Sequence, residues 1–167
     1  MRVFVLSDIH DQTEHLRKLL RAAAPLRPEA LVLCGDISRP ATLAQCHLSG
    51  ARLSYCLGNC DRGWEEGLRQ EALAMNASAF GSVGQLALPQ GQSLAFCHFP
   101  AQARDVALAG GHQAVFYGHS HRPAAERIEA PGREVLLANP GDVQGRYGLV
   151  SGLLYDSEDQ SFRWINL

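Results

Sequence analysis

The chain is punctuated by short apolar runs that stop on a carboxylate, an amide or an imidazole, and this recurrence restricts the possible folds more than any other feature. Val3 to Ser7 leads into Asp8 and His10, Ala30 to Cys34 into Asp36, and Leu53 to Leu57 into Asn59, Cys60 and Asp61. Later, LAFCH ends in His98, VFYGHSH in His119 and His121, and LLANPGD in Asn139 and Asp142. Short runs rich in Val, Leu, Phe and Tyr read as strands. The first three alternate with helical patterns, which is an α/β arrangement. In open α/β sheets ligands bind outside the carboxyl ends of strands, so groups distant in sequence converge there.

Between the first two strands, Asp11 followed by Glu14 reads as a capping box. Leu16, Leu19, Leu20 and Ala23 then share one helical face before Pro25 stops the helix. Further helices are expected over Pro40 to Leu48, Trp64 to Met75 and Gln102 to Ala109. Beyond residue 80 the pattern changes to short strands: Gln85 to Leu88, Leu94 to Cys97, Ala114 to Tyr117, Val135 to Ala138, Leu149 to Tyr155 and Phe162 to Ile165. No repeat, low-complexity segment or linker interrupts this, so residues 1–167 are expected to form a single domain. Nine strands with four helices exceed one open sheet of ordinary width, and two packed sheets flanked by helices is the economical arrangement.

Composition narrows the function. Fifteen basic residues face seventeen acidic ones, a formal charge of −2 over 167 residues. This leaves no positive surplus for the backbone of a long nucleic acid, so any phosphate-bearing partner must meet a local cation. A chain of this length buries roughly two thirds of its unfolded surface and needs no disulfide staples. Its five cysteines are odd in number, and Cys34, Cys56 and Cys97 lie within strand-like runs, which suits buried reduced thiols. The start MRVFVLSD is not a secretory leader, and no apolar run approaches the roughly 20 residues of a bilayer span. A cytoplasmic protein with no membrane partner is expected.

Single motifs carry unequal weight. From this composition Asp-x-His is expected by chance about 0.3 times, and Gly-His-x-His only about 0.03 times. Mixed imidazole and carboxylate donors suit manganese, iron or zinc rather than the oxygen-only sites of calcium and magnesium. The ordered series Asp8-x-His10, Gly35-Asp36, Gly58-Asn59-x-Asp61, His98 and Gly118-His119-x-His121 resembles the calcineurin-like metallophosphoesterase family over nearly the whole chain. The likeness is to its small, capless bacterial and archaeal phosphodiesterases, which share the compact length and the Asn-Pro-Gly turn at Asn139 to Gly141.

That resemblance implies a four-layer α/β/β/α sandwich of two mixed sheets flanked by helices. It also implies a dinuclear site holding two divalent transition metal ions, manganese foremost, with iron, zinc or nickel as alternatives. One ion would take Asp8, His10, Asp36 and His121; the other Asp36, Asn59, His98 and His119, with Asp36 bridging. The implied activity is hydrolysis of a small phosphate ester by a metal-bridging hydroxide; Asn59, Cys60, Asp61 and Arg62 are the candidate catalytic residues. Two ions would add about +4 beside Asp8 and Asp36. A mildly acidic chain would thereby present a cationic pocket to a small phosphoester.

Many family members carry His at the position of Cys60. A thiol, with an ordinary pKa near 8.5, can donate a proton but cannot supply an imidazolium's positive charge, so esters with good leaving groups are expected substrates. Arg39 and Arg62 follow ligand motifs closely and could grip phosphate oxygens, or be ordinary surface arginines. Asp61 either orients a neighbour or caps the helix ahead of Trp64. Asn139 and Asp142 are expected to shape their turn, and His15, His47 and His112 to be solvated or capping. A structural zinc set of Cys56, Cys60, Cys97 and His98 is opposed by the adjacency of Cys97 and His98, which sends their side chains to opposite faces of a strand.

The rival from another class is a protein-binding scaffold, as in the retromer subunit that resembles the small phosphodiesterases; every expected ligand position here nonetheless holds a competent residue. A nuclease would need more length and positive charge. A protein serine/threonine phosphatase would show Gly-Asn-His-Glu where this chain has Gly-Asn-Cys-Asp.

Overall fold

Strand β1 (Arg2–Leu6) shows how the layers are built. Its side chains alternate, with Val3 and Val5 in one apolar cluster and Phe4 and Leu6 in another. The same division runs through β2 (Ala30–Cys34), where Ala30, Val32 and Cys34 point one way and Leu31 and Leu33 the other. A strand buried on both faces must have a layer on each side. The computed structural model, which describes the backbone of residues 1–167 and every side chain except that of Leu48, supplies those layers.

The first sheet has the order β11-β10-β1-β2-β3-β4, with β3 (Arg52–Cys56), β4 (Ser78–Ala79), β10 (Ser151–Asp156) and β11 (Ser161–Asn166). Strands β1 to β4 run parallel, while β10 and β11 are antiparallel additions at one edge. The second sheet is β5-β6-β7-β9-β8, built from β5 (Val83–Ala87), β6 (Ser93–Cys97), β7 (Ala114–Phe116), β8 (Ala124–Ala130) and β9 (Arg133–Asn139). Its central strands β6, β7 and β9 are parallel.

Between the sheets, Val3, Val5 and Val32 cluster with Leu94, Phe96, Phe116 and Leu136. Outside the first sheet, helices α1 (Thr13–Ala23), α2 (Pro40–Ala44) and α3 (Glu65–Ala74) bury Leu16, Leu19, Leu43 and Leu68 against Phe4, Leu6, Leu31 and Leu33. Outside the second, helix α4 (Pro100–Ala109) lays Ala103 and Ala107 on Ala95, Cys97 and Val115. The four layers and two mixed sheets expected from the sequence are therefore present.

Three local expectations are corrected. Helix α1 has no capping box: it starts at Thr13, its N-cap Gln12 makes no side-chain cap, and Asp11 adopts a left-handed conformation (φ 59°). The Asp11 carboxylate instead accepts from Thr42 and pairs with Arg39. Strands β4 and β8 are additions. Strand β4 has only two exposed residues, and β8 reads AAERIEA with Ile128 alone buried; edge strands with one wet face lack the apolar signal that marks the others. The helix expected over Pro40 to Leu48 is α2 followed by a 3-10 turn over Gln45–Ser49. Among the described residues no helix is long and apolar enough to cross a membrane.

Cys34, Cys46, Cys56 and Cys97 are buried, whereas Cys60 is exposed. Partial burial and the nearby Asp36 carboxylate push the Cys60 thiol up to about 11. A maleimide or disulfide reagent should label one thiol in the folded, metal-free protein and all five in denaturant. Between pH 7 and 10 the labelling rate should rise about tenfold per unit, because only the thiolate reacts.

Candidate metal centre and active site

The carboxyl ends of β1, β2, β3, β6 and the β7 loop meet at one edge of the sandwich. Asp8 follows β1, where its backbone N–H donates to the Gly35 carbonyl at 3.2 Å. Ile9 and His10 N–H groups both donate to the Asp36 carbonyl, at 2.9 and 3.1 Å. Asp8, His10, Asp36, His119 and His121 all have positive φ, between 46° and 68°. Non-glycine residues held in this region carry strain, typically at functional sites. Two glycines give the backbone clearance these turns need: a Cβ on Gly58 would overlap Asp36 Oδ1, and one on Gly118 would overlap Ser7 Oγ and crowd Asp8 Oδ2.

Two groups of donors face each other across Asp36. On one side His10 Nε2 lies 3.8 Å from Asp8 Oδ1 and 3.6 Å from Asp36 Oδ2, and His121 Nε2 lies 3.6 Å from Asp8 Oδ1. The His10 and His121 rings are stacked, 5.2 Å apart. On the other side His98 Nε2 is 3.5 Å from Asp36 Oδ2 and 3.0 Å from Asn59 Oδ1. His119 Nδ1 stands 3.1 Å from the same Asn59 oxygen and 3.3 Å from His98 Nε2.

The protonation of this second group is constrained by its outer contacts. His98 Nδ1 donates to the Cys34 carbonyl at 2.8 Å, which leaves Nε2 a lone-pair acceptor in the neutral ring. The Asn59 amide nitrogen donates to Cys60 Sγ at 3.2 Å, which turns its oxygen toward the imidazoles. His98 Nε2 and Asn59 Oδ1 thus face each other at 3.0 Å. On the first side, the buried His10 Nε2 has no hydrogen-bond partner at all. Buried polar atoms are normally satisfied, and a divalent cation satisfies both arrangements. Donors about 2.1 Å from one ion, at right to tetrahedral angles, stand roughly 3.0 to 3.4 Å apart, close to the spacings observed. Asp8, His10 and His121 could together hold an ion, as could Asp8, Asp36 and His98, or His10, Asp36 and Cys60.

Burial disfavours the charged form of Asp8, but the adjoining His10, Ser7, His98 and His121 side chains outweigh it and lower its pKa. The Asp8 carboxylate beside it raises the pKa of His10 against its desolvation. Asp61 is fully buried, and desolvation leaves its pKa raised. Its carboxylate accepts from the backbone N–H groups of Asp36 at 2.9 Å, Gly58 at 2.8 Å and Ser38 at 2.8 Å. Of the two expectations for Asp61, orienting a neighbour is the one observed: it clasps the turns after β2 and β3.

Sequence reasoning missed the partner of His121. The Nδ1–H of His121 donates to Asp142 Oδ2 at 2.8 Å, and Asp142 also accepts from the backbone N–H groups of Gly145 and Arg146 at 3.1 Å each. Asp142 does shape its turn, yet it also fixes the ring whose other nitrogen faces Asp8. The only signal for this role was the carboxylate that commonly backs a ligating imidazole. Asn139 behaves as expected, bonding the Gly118 carbonyl, Ser120 Oγ and Gly141 N–H.

Arg39 is tied to Asp11 at 3.1 Å, and Arg62 is exposed at the end of the 3-10 turn Asn59–Asp61. His47 bonds its local neighbour Ala44 O, while His112 meets Ser93 Oγ across the sheet entrance at 2.8 Å and His15 reaches Val143 O at 3.0 Å. His98 is drawn into the donor cluster while Cys97 packs under α4, so the alternative zinc set is not assembled. A cavity of about 530 Å³ lined by Met1, Gln92, Gln113 and Arg133 lies at the opposite ends of the strands and contains none of these groups.

Replacing Asp142 by Ala should weaken manganese or zinc binding ten- to a hundredfold, the usual cost of removing a carboxylate behind a ligating histidine. Calorimetric titration of the metal-free protein measures this directly. An affinity within twofold of wild type would show that His121 needs no such support.

Comparison with known proteins agrees with this architecture. Residues 1–159 match the family model of the calcineurin-like phosphoesterase superfamily domain. The curated protein Phosphodiesterase MJ0936 from Methanocaldococcus jannaschii is 22% identical over 174 residues, covering 100% of this chain and 99% of the relative. Among solved structures, an archaeal phosphodiesterase superposes with a TM-score of 0.88 at 22% identity and full coverage of both chains. Yfce, a phosphoesterase from E. coli, gives 0.64 at 22% identity, covering 99% of this chain and 98% of its own. Vps29 from Entamoeba histolytica, solved with zinc, gives 0.63 at 14% identity, covering 100% and 98%. With the family model spanning nearly its whole length, the chain belongs to the calcineurin-like phosphoesterase superfamily.

Proposed function

We propose that this protein is a dinuclear-metal-dependent phosphodiesterase acting on a small phosphate ester. The observation that carries the reading is the convergence of imidazole, carboxylate and amide groups on one edge, above all His10 Nε2, buried without a hydrogen-bond partner among the described residues, and His98 Nε2 facing Asn59 Oδ1. Asp8, His10, Asp36 and His121 would hold one ion, and Asp36, Asn59, His98 and His119 the other. Asp36 Oδ2, about equidistant from His10 and His98, is suited to serve both. Manganese is the first choice, with iron, zinc or nickel compatible with the same donors.

Two such ions, when bound, would supply Lewis acidity and a water acidified to neutral pH. The chain's own groups do the rest. The Cys60 N–H donates to Asp36 Oδ1 at 2.8 Å, which keeps the other oxygen of that carboxylate free for metal. Asp61 fixes the backbone of Asp36, and Asp142 orients His121. The Cys60 thiol would stabilise a leaving oxygen by donating a hydrogen bond. No imidazolium charge is available at that position, which favours substrates with good leaving groups.

The reading covers the chain as a single domain, working in the cytoplasm. A protein-binding scaffold is the competing reading, motivated by the Vps29 likeness. The complete donor set weighs against it, because a scaffold has no need of strained, buried metal-facing groups.

Protein purified without chelator should contain, or take up, about two transition ions per chain, and should hydrolyse bis(p-nitrophenyl) phosphate at least about a hundredfold faster than Asp36→Asn. Metal content near zero that added ions cannot restore, with no hydrolysis above that control, would favour the scaffold. Cys60→His should raise turnover of a poor alkyl leaving group relative to an activated aryl ester; an unchanged ratio would remove the proposed handicap of the thiol.

A further inference from the structure

The loop after Asp142 places an exposed tyrosine beside the His121 side of the site and surrounds it with arginines. Tyr147 is 57% exposed, and its ring stands edge-to-face with His121 at 6.5 Å. The Arg122 guanidinium lies over this ring at 4.8 Å from its centroid, and that of Arg146 approaches it at 5.9 Å. Arg122 immediately follows His121 in sequence, while the backbone N–H of Arg146 donates to Asp142 Oδ2, the carboxylate that holds His121. The loop is further anchored by Val143 and Gln144 N–H groups bonding the carbonyls of Ser7 and Asp8, at 3.1 and 3.0 Å. The backbone that carries both cations is thereby anchored to the donor cluster.

Their charge lacks a counterpart. Like most arginines of the chain, Arg122 and Arg146 pair with no carboxylate among the described residues, but these two converge on one ring. Stacking on an aromatic face orders a guanidinium while leaving its in-plane N–H donors available for oxyanions. Two such groups sharing one ring repel each other, and in a chain of net charge −2 their convergence is not a by-product of excess basicity. An anion placed between them relieves the repulsion and receives the forked hydrogen bonds that guanidinium offers phosphate.

We propose that Arg122, Arg146 and Tyr147 form a specificity lip that binds a second phosphate of the substrate, beyond the one hydrolysed. This rests on the phosphodiesterase reading and narrows its substrate class to small esters bearing two or more phosphates. Tyr147 is the platform, and the two guanidiniums contact the distal phosphate.

Two chromogenic substrates that differ by one phosphate test it: thymidine 5′-(p-nitrophenyl phosphate) with and without a 3′-phosphate. Metal-loaded wild type should favour the doubly phosphorylated ester about tenfold or more in kcat/KM, and Arg122→Gln/Arg146→Gln should bring the ratio close to one. A folding defect would depress both substrates and leave the ratio intact. Equal rates on the two substrates in wild type, or a ratio unchanged in the double variant, would overturn the lip.

If wild type hydrolyses neither substrate above Asp36→Asn, the catalytic reading fails. The lip is then judged by calorimetric binding of thymidine 3′,5′-bisphosphate. At least tenfold weaker binding in the double variant supports the lip, and a smaller difference overturns it.

Discussion

The site depends on the apolar layer between the two sheets. Val3, Val5, Val32 and Cys34 on one sheet meet Phe96, Phe116 and Ala138 on the other, and each large side chain removed from water there stabilises the fold by roughly 1.5 to 3 kcal/mol. Because both sheets have parallel centres, this packing brings the carboxyl ends of β1, β2, β3, β6 and β7 to a common edge. Strands shifted by one residue would exchange the inter-sheet and helix-facing sets, so the same alternation that builds the core fixes which residues arrive at that edge.

What arrives there is costly to bury. Asp8, Asp36, Asp61 and Asp142 are all at most 2% exposed. Burial of carboxylates is tolerated only with hydrogen bonds or countercharge. Here backbone N–H groups provide much of that compensation: His119 serves Asp8, Cys60 serves Asp36, three turn residues serve Asp61, and two serve Asp142. The loops are therefore shaped around the carboxylates, and the positive φ values at Asp8, Asp36 and His119 are the conformational cost of presenting both backbone and side chain inward. What the backbone does not engage is the inward row of imidazole and amide groups, whose types and spacing could hold a metal ion.

Much of this was legible in the sequence. Apolar runs ending in ligating residues marked β1, β2, β3, β6, β7 and β9, and the change in pattern after residue 80 anticipated a second sheet. Asp8, His10, Asp36, Asn59, His98, His119 and His121 stand among the strand-end residues, the family resemblance singled them out as ligands, and the structure brings them together. The errors were local and had local causes. Asp11 looked like a helix cap because its spacing to Glu14 fits one, but Thr42 and Arg39, distant in sequence, claim its carboxylate. Strand β8 was invisible because an edge strand with one solvated face has no apolar run to betray it.

The sequence by itself determined the donor types, their order and the strands that carry them, since hydrophobic alternation and residue chemistry are local properties. Only the tertiary structure decided how those donors are supported. That Asp61 clasps the Asp36 and Gly58 turns, that Asp142 backs His121, and that Arg122 and Arg146 gather on Tyr147 all depend on contacts between loops joined through different strands. Such contacts follow from the direction in which each turn leaves its sheet, and no spacing within a single segment encodes that direction.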